Sequence, residues 1–218
     1  MKILLQSLIV LVLLSGCTDN EPTSEKIIVQ EDGSRIKKEY HENGSLKAIY
    51  PINTDGIIEG ELKQYYPDGG LLNSTTYING VRQGSNYAYY SNGNLHIEEN
   101  YDELGKLEGE FKEYFESGVL KTEGMYKANS KTGEWKFYGE AGGLEEVNGY
   151  ANNQTNGLQQ VYHANGQIAI VGEAKDDHEI GLWTYFGLHG DTLKVEEYSA
   201  EGILANTELY REYQNAGY

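Results

Sequence analysis

The chain has 218 residues and a formal net charge of −17, with 34 acidic side chains against 17 Lys and Arg. Binding to phosphate backbones rests chiefly on Lys and Arg, so this balance excludes a nucleic-acid partner and weakens any case for anionic lipid headgroups. One cysteine, Cys17, excludes an internal disulfide and a cysteine-based metal site. The first element is Met1-Lys2 followed by the apolar run Ile3 to Leu14. A charged start and a short apolar core have the layout of a secretory signal, and the run is too short for a membrane span of roughly 20 residues.

Leu14-Ser15-Gly16-Cys17 closes that run. It resembles the bacterial lipobox, in which small residues admit a peptidase and the Cys thiol takes a diacylglycerol. The resemblance implies cleavage after residue 16, a mature chain starting at a lipidated Cys17, and membrane contact through that anchor. Stable anchoring takes more than one acyl chain, and lipoproteins of this type carry two or three. Residues 17–37 then form the lipidated Cys and a polar acidic spacer, most distinct in Thr18 to Glu25. Thr18 is not the Asp that marks inner-membrane retention in enterobacteria. An acidic stretch behind the Cys resembles surface-export signals. The expected location is therefore the bacterial cell envelope, at the outer membrane, on its periplasmic or surface face.

Beyond the spacer the chain repeats. Gly60, Gly84, Gly109, Gly133, Gly157 and Gly181 recur every 24 residues, once 25, and each is followed nine residues later by a second glycine, from Gly69 to Gly190. Five residues after the first glycine stands an aromatic, giving the column Tyr40, Tyr65, Tyr89, Tyr114, Tyr138, Tyr162 and Phe186. Eleven residues after it stands Leu or Ile (Leu46, Leu71, Leu95, Leu120, Leu144, Ile168), and seventeen after it mostly Tyr. Fixed-period self-similarity of this kind signals a repeat array. Each unit has room for two strands and two turns and none for a helix. The predicted fold is all-β, tandem antiparallel β-hairpins forming one elongated, twisted or curled meander sheet. The array is expected over 38–204, about seven units of ~24 residues, with a C-terminal cap at 205–218 that is either a last strand or a short helix.

Asn43-Gly44, Asp68-Gly69, Asn92-Gly93 and Asn165-Gly166 suggest two-residue type I′ tips. That geometry pairs Tyr90 with Leu95. It also puts the second, sixth, eleventh and seventeenth positions on one apolar face, as in Phe111, Phe115, Leu120 and Tyr126. The fifth-position aromatics fall on the opposite face, among Lys112, Lys121 and Glu123. Asn86 and Gln159 interrupt the aromatic second column, so the third and sixth units are expected to be the weaker hairpins.

The segment Gly133-Glu134-Trp135-Lys136-Phe137-Tyr138 with Gly142 and Leu144 resembles the MORN repeat in its bacterial variant form, as does Gly109 to Tyr114 with Gly118 and Leu120. The resemblance covers roughly residues 38–204. It implies a single sheet of stacked hairpins, and some bacterial members are catalogued as YwqK-type antitoxins.

No catalytic residue, metal site or cofactor is expected. His41, His163 and His189 lie near hairpin tips, and with His96 and His178 they show no recurring ligand spacing. Asp176-Asp177-His178-Glu179 reads as a solvated turn in preference to a Ca²⁺ site. The candidate binding element is the ladder of fifth-position rings, since tyrosine suits recognition surfaces. A cross-strand packing ladder is the plainer account of the same column. The leading expectation is a non-enzymatic, lipid-anchored scaffold or protein-binding repeat module. The alternatives are an antitoxin or immunity-type protein that neutralises a toxin, and a glycan-binding surface lipoprotein. An exposed terminal strand also leaves room for a homodimer.

Overall fold

The computed structural model describes residues 24–210, so Leu14, Ser15, Gly16 and Cys17 lie outside the described residues. The described chain is one sixteen-stranded sheet in which every strand pairs antiparallel with its sequence neighbours. The strands are β1 (Glu25–Val29), β2 (Arg35–Tyr40), β3 (Leu46–Ile52), β4 (Gly60–Tyr65), β5 (Leu71–Ile78), β6 (Val81–Tyr89), β7 (Leu95–Tyr101) and β8 (Gly109–Tyr114). They continue with β9 (Leu120–Lys127), β10 (Ser130–Tyr138), β11 (Leu144–Ala151), β12 (Gln154–Tyr162), β13 (Ile168–Lys175), β14 (His178–Phe186), β15 (Thr192–Tyr198) and β16 (Leu204–Leu209). The all-β meander expected from the repeat is the observed architecture. The sheet extends past residues 38–204 at both ends, because β1 pairs with β2 from Glu25 onward and β16 is a last strand against β15.

The tips differ from the sequence expectation. Gly93 N–H donates to the Tyr90 carbonyl at 2.9 Å and Tyr90 N–H to the Asn94 carbonyl at 2.9 Å. The loop is thus Ser91-Asn92-Gly93, three residues long, with Gly93 at φ 88°. This is a type I turn closed by a left-handed glycine, the usual three-residue hairpin. The same bond pair recurs at Gly44, Gly69, Gly118, Gly142, Gly166 and Gly190. The tip asparagine does not take a left-handed conformation. Its carbonyl oxygen accepts the N–H two residues on, from Asn92 to Asn94 at 2.9 Å and from Asn165 to Gln167 at 3.0 Å, an Asx turn.

Two-residue turns with both residues at positive φ occur instead at the opposite edge of the sheet. They are Asn79-Gly80, Ala128-Asn129, Asn152-Asn153 and Asp176-Asp177, with φ between 49° and 76°. Where this edge uses a three-residue loop, as at Asp102 to Gly105, the unit gains a residue. That accounts for the 25-residue step from Gly84 to Gly109.

The longer tip loop moves the register by one. Tyr89 pairs with Leu95 and Ala88 with Ile97, with a bulge between them, and the same shift recurs in the units of Tyr40, Tyr65, Tyr114, Tyr138, Tyr162 and Phe186. The eleventh-position leucine therefore sits opposite the fifth-position ring, and not with the second and sixth positions as expected. Directly opposed residues share a face.

Packing follows from this register. The second, thirteenth, fifteenth and seventeenth positions hold most of the core, with Val147 buried on the other face opposite Lys136: Ala48, Tyr50, Ile52 and Leu62 form one cluster, with Ile58 and Tyr77 packed on it. Trp135 is 1 % exposed, which is unusual for a protein of one sheet. It is covered by Phe111, Tyr126 and Tyr150, with ring centroids 5.6, 5.1 and 6.2 Å away. It lies flat on Gly124, whose missing side chain makes the room. Trp183 repeats the arrangement on Gly172.

Candidate functional site

Local chemistry makes the two faces of the sheet different. On the core face, the second-position side chain donates across to the preceding hairpin. Trp135 Nε1–H reaches the Met125 carbonyl at 3.2 Å and Trp183 Nε1–H the Glu173 carbonyl at 3.1 Å. Gln159 fills the same column and makes the same bond, Nε2–H to the Gly149 carbonyl at 3.2 Å. Asn86, the other departure, is buried in a polar chain. It accepts from the Thr75 hydroxyl and from Asn73 Nδ2 at 3.0 Å, and donates to Glu99 at 2.9 Å. Both units expected to be weaker thus carry a satisfied polar substitute for the ring. Lys131 covers this face at 4.2 Å from the Trp135 ring centroid and 5.2 Å from that of Tyr150. Its burial holds the ammonium below the ordinary lysine range.

The fifth-position ladder lies on the other face, as expected. Tyr40, Tyr65, Tyr89, Tyr114, Tyr138, Tyr162 and Phe186 are all half-buried. Each is paired across its hairpin with Leu46, Leu71, Leu95, Leu120, Leu144, Ile168 or Thr192. Among the described residues the ring–ring contacts belong to other columns, so the ladder rings face Leu or Ile, once Thr192, and not one another. Tyr138 donates its hydroxyl to Glu123 at 2.8 Å. Burial, with that carboxylate beside it, pushes the Tyr138 phenol up to about 12.

Lys112 and Glu123 are ladder-face neighbours, paired with each other across β8 and β9. Lys121 is not. It bonds Glu113 at 2.7 Å and covers the Phe115 ring at 5.9 Å, because the bulge beside Leu120 turns it to the core face. A shallow groove between β8, β9 and β10 is lined by Glu110, Lys112, Glu123, Glu134 and Lys136 over Gly124 and Met125. Four of its five charges are paired, Lys112–Glu110 at 3.5 Å and Lys136–Glu134 at 3.2 Å, and Glu123 accepts from the Tyr138 hydroxyl.

The ladder residues serve a second purpose through their backbones. In four units the sixth-position side chain donates to the ladder carbonyl of the next unit. Tyr66 reaches Tyr89 at 2.8 Å, and Tyr90 reaches Tyr114 at 2.7 Å. His41 Nε2–H reaches Tyr65 and His163 Nε2–H reaches Phe186, both at 2.9 Å. These two histidines therefore share a column with Tyr66 and Tyr90 and make the tyrosine's bond. Tip asparagines add bonds between neighbouring tips, from Asn92 Nδ2 to the Glu116 carbonyl at 2.9 Å and from Asn165 Nδ2 to that of Leu188 at 2.9 Å.

The opposite edge is clamped reciprocally. Asn153 N–H donates to the Lys131 carbonyl at 3.2 Å while Lys131 N–H donates to Asn153 Oδ1 at 2.8 Å. Asp177 and Thr155 repeat the pair at 3.2 and 2.7 Å. The acidic turn at Asp176-Asp177 is thus a structural clamp, and the Thr155 N–H holds the Asp177 carboxyl below the usual carboxylate range. Among the described residues no group of three or more His, Cys, Asp or Glu is placed to hold a metal ion.

Fold and surface together define a tandem β-hairpin repeat protein whose units are locked edge to edge. Residues 58–79, 82–103, 107–128 and 155–176 match the family described as MORN repeat variant, and these four matches support assignment of the array to the MORN repeat family. The units at Gly133 and Gly181 fall outside the matched segments but carry the same strand pairing. No curated protein matches the chain. MORN repeats are typically protein-binding or scaffold modules and the family is generally non-catalytic.

Proposed function

We propose that this is a non-enzymatic, lipid-anchored protein of the bacterial envelope that acts as a scaffold or protein-binding module. The observation that carries the reading is the sequence Leu14-Ser15-Gly16-Cys17 placed ahead of a repeat sheet. An anchor of two or more acyl chains keeps the body at a membrane, and the sheet behind it offers a broad face for contact. The paired charges and aliphatic-backed rings of the ladder face suit contact with a protein surface.

The anchor is tested by Cys17→Ala in the native envelope. The wild-type chain is expected in the membrane fraction with an acylated N-terminal cysteine by mass spectrometry, and the variant in the soluble fraction. A variant that stays with membranes, or a wild type without acyl mass, removes the anchoring half. The binding half is tested by crosslinking the chain in its own envelope and identifying what it captures by mass spectrometry. Recovery of the chain alone, across repeated captures, counts against it.

A further inference from the structure

The ladder face changes character along the array. In the units of Gly60, Gly109 and Gly133 the first and third positions are Glu and Lys, paired as Glu61–Lys63, Glu110–Lys112 and Glu134–Lys136. In the last two units these positions become Leu158 with Gln160 and Leu182 with Thr184. Leu158 and Leu182 are 47 % and 63 % exposed, so packing within the sheet does not account for them. Val171 and Val195 flank them, paired with Gln160 and Thr184. Across the same row Leu158 pairs with Glu173 and Leu182 with Glu197. Both carboxylates are exposed, and neither makes an ion pair among the described residues, unlike Glu61, Glu110 and Glu134. Strands β12 to β15 thus present two directly opposed Leu–Glu pairs, and between them the β13–β14 register shift sets Glu173 opposite Ile180 with Leu182 in the bulge beside it.

The geometry points to a docking site for a basic amphipathic helix on the ladder face of β12–β15. This deepens the proposed binding role and rests on it. Adjacent strands lie about 4.8 Å apart, so across the strands the two leucines are separated by about 10 Å, with Glu173 on the strand between them and Glu197 one strand beyond Leu182. A helix rises about 1.5 Å per residue, so positions seven apart are spaced about 10.5 Å and positions three or four apart lie midway. A helix laid across the strands therefore meets the leucines with apolar residues one heptad apart, meets Glu173 with a Lys or Arg between them, and meets Glu197 with a Lys or Arg half a heptad beyond the second. Acid without an ion-pair partner, on a chain of net charge −17, selects a cationic partner.

The test uses a chain from Ser24 onward, which keeps all sixteen strands and needs no detergent. The probes are a two-heptad Leu/Lys amphipathic helix and a scrambled peptide of identical composition, with binding read by fluorescence anisotropy. The ordered helix is expected to bind at least tenfold more tightly than the scrambled one. Leu158→Ser with Leu182→Ser is expected to lose at least tenfold. Glu173→Gln with Glu197→Gln is expected to weaken binding and flatten its salt dependence, while the charge-matched control Glu103→Gln with Glu201→Gln on the turn edge leaves it unchanged. Equal binding of the scrambled peptide, indifference to the leucine pair, or no binding at all overturns the site. Self-association abolished by the leucine pair overturns it too, by making a second copy the occupant. If these fail while the full-length chain still captures an envelope protein, this surface is wrong and the broader binding role stands.

Discussion

Gly124 shows how much a single missing side chain decides. A Cβ there would lie 2.2 Å from Trp135 Cδ2, so Trp135 reaches 1 % exposure only because position 124 is bare. Gly124→Ala is expected to destabilise by about 1–3 kcal/mol, the usual range for overpacking a tight core. It is also expected to red-shift tryptophan emission as the ring is displaced, and a thermal melt with emission spectra checks both. The sequence displays Gly124 as an ordinary strand residue. The partnership is invisible there because the second-column ring leans on the hairpin before it, and that column changes from Leu62 through Asn86 and Phe111 to Trp135. The buried Thr75 and Thr122 escaped for the same reason, since their columns have no constant chemistry.

At the scale of the element, the period and the hairpins were legible because glycine and tyrosine recur in fixed columns. The turn types were not, because Asn-Gly serves a two-residue turn and the end of a three-residue turn equally well. A clue was available: the residue before the tip glycine varies to Ser117 and Ala141, which a left-handed position favours less than Asn or Asp. The opposite edge pairs Asn152 with Asn153 and Asp176 with Asp177, which such positions favour. Misassigning the tips moved Leu120 to the wrong face and made the ladder look barer than it is. The sixth column supplies a direct check. His163→Tyr restores the residue found at Tyr66 and Tyr90, and is expected to leave stability within about 0.5 kcal/mol. His163→Ala removes the bond to the Phe186 carbonyl and is expected to cost about 1 kcal/mol. Denaturant unfolding of the two variants separates them, and equal losses would show that the tip bond carries no stability.

Over the whole molecule, extensive contact is confined to strands adjacent in sequence, so stability is close to a sum of units and their interfaces. Hydrogen bonds between neighbouring tips and across the opposite edge tie many of those interfaces, while a net charge of −17 opposes the compact array. Screening falls from about 30 Å at 0.01 M salt to about 3 Å at 1 M. The melting temperature is therefore expected to rise steadily between those limits, as calorimetry would show, and a flat response would mean that the local Lys–Glu pairs already neutralise the field.

Strand order has a consequence for distance. Because the sheet runs from β1 to β16 without a crossover, position along the chain is also position along a ruler. Whatever is held near Glu25 is separated from the leucines of β12 and β14 by a span that strand spacing sets, at about 4.8 Å per strand. Insertion or loss of one complete hairpin changes that span by about 10 Å and leaves every remaining side chain on its original face. Loss of a single strand would invert the direction of all that follow. The array can therefore evolve its reach in whole steps while keeping its surfaces in phase.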